Sequence, residues 1–117
     1  MDGQAFLRET AALIGRGWCC GAEARDRFGS AVEAADPSAA AWSLRGALAL
    51  VSDRPDAEVD ALREALWGIS GVIPDSELDD WNDAAGRTQS DTLQMLAHAQ
   101  TSLDTNPPPD TDWSLPA

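Results

Sequence analysis

The sequence predicts a mainly α fold: a compact bundle of four to five helices with a small β-hairpin near residues 21–34. Two observations predict it. Apolar residues recur at helical spacing in separate segments, and glycine, proline and capping residues divide those segments from one another. With 117 residues, of which 44% are hydrophobic, the chain can bury one core. We therefore expect one helical domain over residues 1–104 and a flexible, Pro-rich, acidic tail over residues 105–117.

The N-terminal part of the chain predicts a helix and then a hairpin. The helix is expected over residues 4–16, because apolar residues share one stripe there and glycines follow it. Its stripe consists of Leu7, Ala11, Ile14 and Trp18, with Phe6 and Leu13 beside it. Residues 18–36 lack helical periodicity, and residues 26–29 have turn composition between two short segments. A small hairpin is the interpretation.

A second helix is predicted from Asp36 to Asp53, with Asp36 as N-cap and Pro37 at the first helical position. Its buried stripe comprises Ala41, Leu44, Leu48 and Val51. Gly46 lies inside this helix, where glycine costs about 1 kcal/mol relative to alanine. Its presence indicates that another backbone or a Trp ring packs closely against it.

A third helix follows a turn at residues 53–56, and Gly68 and Gly71 are expected to end it. Its predicted buried stripe comprises Val59, Leu62, Leu66 and Ile69. The spacing of these four residues, i, i+3, i+7 and i+10, is that of one helix face.

Two further helices are predicted before the tail. Asp75 or Ser76 caps a short helix that runs through Trp81. Thr88 begins the final helix, and Asp91 supplies the acid of an approximate capping box. The stripe of this helix comprises Thr92, Leu96, Ala99 and Leu103.

The C-terminal residues cannot continue a helix, because residues 106–110 include three consecutive prolines. The tail ends in an apolar group, residues 113–116. Two interpretations of this group remain open: a short docking motif, or a segment that folds back on its own domain.

Negative charge is concentrated in the second half of the chain. The net charge of the protein is −12 at pH 7. Residues 1–54 carry −1, with seven acids and six arginines, whereas residues 55–117 carry −11, with thirteen acids and two arginines. Such a field disfavours contact with nucleic acid or anionic lipid and favours basic partners. Acidic faces also keep small proteins soluble, and that interpretation stands beside the functional one.

Few residues in the sequence predict catalysis or metal binding. Structural zinc needs about four His or Cys ligands, and the chain has only the adjacent Cys19 and Cys20 and a single His98. No phosphate-binding loop or calcium loop is present, so we expect no metal and no cofactor. The cysteines are expected to be reduced thiols in the cytoplasm, since no signal peptide or membrane span is predicted.

The most distinctive stretch runs from Trp81 to Thr88. In a structural interpretation Trp81 anchors the loop, Gly86 supplies a left-handed turn, and Arg87 pairs with Asp83 or reaches Asp26. A functional interpretation makes three polar residues a recognition cluster beside the acidic segment: Asn82, Asp83 and Arg87.

Three motifs resemble those of an uncharacterised family of small actinobacterial and phage proteins. They are Gly17-Trp18-Cys19-x-Gly21-Ala22, Trp42 with Gly46-Ala47-Leu48, and Trp81-Asn82-Asp83-x-x-Gly86-Arg87-Thr88. The resemblance spans about residues 5–100. It implies a bacterial or phage origin and no established activity. Ser43 stands where the family commonly has Cys, which argues against a paired thiol site with Cys19.

The function that the sequence favours is a non-catalytic, acidic protein–protein interaction module. A specific version is a phage-type inhibitor that binds a host nucleic-acid-binding protein by mimicking the charge of DNA. The residues expected to contact the partner are Asp75, Glu77, Asp79, Asp80, Asn82, Asp83, Arg87 and Trp113. Direct contact with nucleic acid or membrane is not expected. The alternatives are a small hydrolase or transferase that uses Cys19, Asp26, Asp83 and His98, and a structural component of a virion or assembly.

Overall fold

The computed structural model describes residues 1–73 and 77–108. Within these residues the chain forms five helices and three short strands. In chain order they are α1 (Gly3–Arg16), β1 (Ala24–Asp26), β2 (Ala31–Val32), β3 (Ala39–Trp42), α2 (Leu44–Ser52), α3 (Val59–Ser70), α4 (Leu78–Asn82) and α5 (Gln89–Thr105). The prediction of a mainly α fold with a small β element is confirmed. None of the described helices is long and apolar enough to cross a membrane.

Helices α1, α3 and α5 pack against one another and form most of the core. Each contributes side chains with no exposed surface, including Leu7 from α1, Ile69 from α3 and Leu96 from α5. Glycine allows α3 to approach α5 closely, because a Cβ at Gly68 would lie 2.8 Å from the carbonyl oxygen of Ala99. Gly68 therefore lies inside α3 and does not end it, contrary to the sequence prediction.

The buried face of α3 also differs from the predicted one. Its buried residues are Ala61, Ala65, Gly68 and Ile69. Val59 is 72% exposed, and Leu62 and Leu66 are only partly buried. Of the predicted stripe, only Ile69 is fully buried, whereas Leu62 and Leu66 pack against the edge of the core, because the close approach to α5 admits small residues and excludes large ones.

The predicted hairpin is confirmed. Strands β1 and β2 are antiparallel, with Ala24 opposite Val32. The Asp26 carboxylate fixes the turn by accepting hydrogen bonds from the backbone N–H groups of Phe28 and Ser30, both at 2.9 Å. Gly29 has a φ of +85°, which an L side chain rarely adopts.

The second helix begins later than predicted. Residues 39–42 form β3, which pairs antiparallel with β1 and gives the sheet the order β2-β1-β3. Helix α2 starts at Leu44, and the Ser43 hydroxyl caps it by accepting a hydrogen bond from the Gly46 N–H at 3.1 Å. Asp36 forms no helix N-cap; its carboxylate accepts hydrogen bonds from the N–H and hydroxyl of Ser38. Pairing with the free edge of β1 outweighs the helical propensity of the alanines before Trp42.

Helix α5 follows its sequence prediction closely. The Thr88 hydroxyl accepts a hydrogen bond from the Asp91 N–H, and the Asp91 carboxylate accepts one from the Thr88 N–H, both at 3.1 Å. The predicted capping box is therefore confirmed. All four residues of the predicted stripe are buried: Thr92, Leu96, Ala99 and Leu103.

Candidate partner-binding surface

Asn82, the last residue of α4, is a hydrogen-bonding centre inside the domain. Its side-chain oxygen accepts hydrogen bonds from the Trp18 indole at 2.9 Å and the Leu44 N–H at 3.0 Å. Its amide nitrogen donates to the Cys19 carbonyl at 3.1 Å and to the Asp83 carboxylate at 3.0 Å. These four bonds use the full capacity of an amide. With only 1% of its surface exposed, Asn82 does not contact a partner; it fixes α4 to the segment before β1 and to the start of α2.

Arg87 makes neither of the contacts expected for it. Its Nε donates a hydrogen bond to the Trp81 carbonyl at 2.7 Å, and its guanidinium lies 3.8 Å from the centre of the Trp81 ring. The cause of this arrangement is local: Gly86, with a φ of +82°, turns the chain so that the Arg87 side chain folds back onto the end of α4. Asp83 instead accepts a hydrogen bond from the Gly21 N–H at 3.1 Å.

The exposed acids of α4 and the residues flanking it form what we term the α4 acidic surface: Glu77, Asp79, Asp80 and Asp83. Asp79 is paired, since both its carboxylate oxygens accept from Arg45 Nε, at 2.9 and 3.0 Å. This hydrogen bond and the charge of Asp79 raise the pKa of Arg45. Asp75 and Trp113, also expected at the site, lie outside the described residues.

The charge of the α4 acidic surface is therefore only partly compensated. Among the described residues, no hydrogen bond or ion pair of the Glu77 or Asp80 side chain is present. The Arg45–Asp79 pair is more than half exposed on both sides, so solvent screens it and its contribution to stability is at most about 1 kcal/mol. The surface keeps a net negative charge, held on a helix that Asn82 fixes in place.

The four residues of the hydrolase hypothesis do not form a hydrogen-bonded group. Cys19 is buried, and burial raises the pKa of its thiol although the charge of Arg25 partly opposes this. Asp26 holds the hairpin turn and Asp83 holds Gly21. His98 is exposed on α5, in a cleft with Gly71 and Val72. In the described parts of the chain no hydrogen bond joins any two of the four candidate side chains, and no group of three His, Cys, Asp or Glu residues could hold a metal ion.

We expect the two cysteines to differ in reactivity. Cys20 is exposed, whereas Cys19 is 7% exposed and its raised pKa keeps it protonated at neutral pH. A maleimide at pH 7 should label the folded protein once, at Cys20, and the urea-unfolded protein twice, as measured by intact mass. Equal labelling rates at both cysteines in the folded protein would contradict this burial.

Sequence reasoning missed an apolar groove between α2, α3 and α4. It has a volume of about 230 Å³ and is lined by Leu48, Ala49, Leu62, Leu66 and Leu78, with Arg45 and Ser52 at its edge. The signal that could have revealed it is the stripe of small residues beside the large ones on α3: Ala61, Ala65 and Gly68. A helix that buries its small residues turns its larger ones outward.

Sequence reasoning also missed the exposure of Phe28, at the tip of the hairpin. Its side chain is 78% exposed, and the Arg27 guanidinium lies 4.8 Å from the centre of its ring. The tryptophans differ from it: Trp42 is buried, and Trp18, Trp67 and Trp81 pack against the core.

The chain belongs to the family of unknown function DUF6197, whose family model matches residues 2–102. That match confirms the expectation of an uncharacterised family and covers the chain from the N-cap of α1 into the last turns of α5. Comparison with curated proteins and with solved structures gave no match.

Proposed function

We propose that this DUF6197 member is a non-catalytic protein–protein interaction module that binds a basic partner through the α4 acidic surface. The observation that carries the proposal is the charge distribution. Residues 55–117 hold thirteen acids and two arginines, and the exposed side chains of Glu77 and Asp80 form no ion pair with any described residue. A nucleic-acid-binding protein is the partner class that such a surface suits, since it already presents a basic face to phosphates.

The rigidity of the surface supports the proposal. Asn82 bonds to the Trp18 indole, the Cys19 carbonyl and the Leu44 N–H, so α4 cannot shift without breaking buried hydrogen bonds. Carboxylates on a fixed helix lose little conformational freedom on binding, which favours both affinity and selectivity for one spacing of cations. The specific form of the proposal is a phage-type inhibitor that acts in the bacterial cytoplasm by imitating the charge of DNA.

Among the described residues, no hydrogen bond joins any two of the side chains of Cys19, Asp26, Asp83 and His98, which supports a non-catalytic role over a hydrolase or transferase. General base and nucleophile must lie within hydrogen-bond reach of each other, and the Cys19, Asp26 and Asp83 side chains bond to backbone groups instead. A virion or assembly component is distinguished by its mass in solution, because it would form a defined oligomer without any other protein.

The test compares two variants of equal net charge. The first neutralises two acids of the α4 acidic surface and one that precedes them in the sequence: Glu77→Gln, Asp80→Asn and Asp75→Asn. The control neutralises three exposed acids elsewhere: Glu33→Gln, Asp56→Asn and Asp104→Asn. Asp79 and Asp83 are kept, because they hold Arg45 and Gly21.

Wild type and the control variant should retain the same basic partner from lysate of the source organism. We expect the first variant to bind that partner about tenfold to a hundredfold more weakly, since each lost interfacial charge contributes about 1 kcal/mol. The purified complex is then measured by calorimetry at low and high salt, and affinity should fall as salt rises. Equal affinities for the two variants would overturn the role of the α4 acidic surface.

A further inference from the structure

We propose that the groove between α2, α3 and α4, here the α3 groove, binds the apolar face of a basic amphipathic helix. The groove is lined by Leu48, Ala49, Leu62, Leu66 and Leu78. This inference rests on the proposed function, because it names the structural element by which a basic partner would engage the acidic half of the protein. It adds an apolar contact to a proposal that otherwise rests on charge.

The orientation of α3 is the first observation that supports it. This helix buries its small residues, so that Val59 is exposed and Leu62 and Leu66 are only partly buried. They lie at i, i+3 and i+7, so they form one stripe along the helix. Single exposed apolar residues are common on soluble proteins, but a stripe along a groove is typical of a surface that another element covers.

The reason for this orientation is visible in the packing. Gly68 allows α3 to lie against α5, where a Cβ would come 2.8 Å from the Ala99 carbonyl oxygen and 3.1 Å from the Leu103 Cβ. Rotating α3 to bury Leu62 and Leu66 would force large side chains into that contact. The outward stripe is therefore a fixed property of the fold.

The charge at the groove edge identifies the chemistry of the occupant. Leu78 lines the groove, and its neighbours in the chain, Glu77, Asp79 and Asp80, are exposed acids. The cation at the edge, Arg45, is paired with Asp79. A partner element that packs on the leucines of the groove would lie near the carboxylates of Glu77 and Asp80. This arrangement favours lysine and arginine on that element and disfavours phosphate groups.

The dimensions favour a helix as the bound element. Leu62 and Leu66 line the groove about 6 Å, one helical turn, apart, and Val59 extends the stripe to about 10 Å, which corresponds to roughly two turns of a partner helix beside it. Helix-in-groove binding uses apolar residues at i, i+3 or i+4, and i+7 on the bound helix. Basic residues on its flanks would then lie beside the α4 acidic surface.

The test uses two synthetic basic peptides as probes. Both have 18 residues of Leu and Lys in the same proportions; one places leucine on a single helix face and the other distributes it around the helix. Affinity for the fluorescein-labelled peptides is measured by fluorescence polarisation at low and physiological salt. Chemical-shift changes in ¹⁵N spectra locate the contact.

Two variants block the groove and one serves as a matched control. Ala49→Phe fills the groove, and Leu62→Ser with Leu66→Ser removes its apolar wall. Phe28→Ala removes an exposed apolar side chain at the hairpin tip, which does not line the groove. Circular dichroism and thermal melting establish folding, and the leucine double variant decides the question if Ala49→Phe does not fold.

We expect wild type and Phe28→Ala to bind the amphipathic peptide at least tenfold more tightly than either groove variant and than the distributed peptide. Unchanged affinity in the groove variants, or equal affinity for the two peptides, would overturn the proposal that the α3 groove binds the helix. The proposal of binding through charge would not be affected. If neither peptide binds at low salt, the result would instead contradict the proposed function itself. Sedimentation velocity identifies a competing occupant: a wild-type dimer that Ala49→Phe dissociates would overturn the proposal in favour of a second copy of this chain.

Discussion

Replacing Asn82 with alanine should lower the free energy of unfolding by about 3 kcal/mol, because it leaves several buried polar groups without partners. The Leu44 N–H, the Cys19 carbonyl and the Trp18 indole all bond to this one amide. The side chain is 1% exposed, so water does not take its place without opening the junction of α4 with the sheet. The loss should thus exceed that of an ordinary surface hydrogen bond.

Urea unfolding followed by tryptophan fluorescence and circular dichroism measures this loss. Gln94→Ala is the matched control, since Gln94 is exposed and its amide bonds only to Ser90 within its own helix. We expect the control to change stability by less than about 0.5 kcal/mol. Hydrogen exchange should rise at residues 18–23 and in α4 of the Asn82 variant. A loss below about 1 kcal/mol would show that the junction relaxes and that α4 is held by other contacts.

Replacing Gly46 with alanine should destabilise the protein by about 2–3 kcal/mol, although alanine is the better helix former by about 1 kcal/mol. The added Cβ would overlap the Glu23 carbonyl oxygen. That oxygen already accepts hydrogen bonds from the Ser43 N–H at 3.0 Å and the Ser43 hydroxyl at 3.1 Å. The backbone before β1 would have to move away, and the N-cap of α2 would be disturbed with it.

Gly15 provides the control for this prediction. It also lies in a helix, but a Cβ there would meet nothing within 4 Å. Gly15→Ala should therefore stabilise the protein by about 0.5 kcal/mol, the gain expected from helical propensity alone. A lower melting temperature for Gly46→Ala and a higher one for Gly15→Ala, both relative to wild type, would establish close packing at Gly46. Stabilisation by both would contradict the contact with Glu23.

Both variants act where the sheet meets the helices, and they bear on function as well as on stability. Asn82 and Gly46 hold the segment before β1 against α4 and α2. If the α4 acidic surface binds a partner, a loosened junction should weaken binding even though neither side chain contacts the partner. Comparison of these variants with Glu77 and Asp80 substitutions separates loss of order from loss of charge.

The sequence by itself determined the elements whose signals are local. Helix α5 is one: Thr88 and Asp91 cap each other three residues apart, and its buried stripe follows from spacing alone. The hairpin is another, since Asp26 and Gly29 form the turn from within five residues. The close approach at Gly46 was also correctly inferred, because a glycine inside a helix needs a steric reason. The concentration of acids in residues 55–117 is likewise a property of the sequence.

Only the tertiary structure decided the features that depend on residues far apart in the chain. Residues 39–42 became a strand because β1 offers an edge to pair with. Helix α3 left Leu62 and Leu66 only partly buried because Gly68 fits against α5, and the apolar pattern of a helix does not reveal which face a neighbour will cover. Asn82 was expected at the surface but lies inside, because its partners Trp18, Cys19 and Leu44 are 38 to 64 residues away along the chain. A polar side chain is exposed or buried according to what surrounds it, and distant segments supply those surroundings only after the chain has folded.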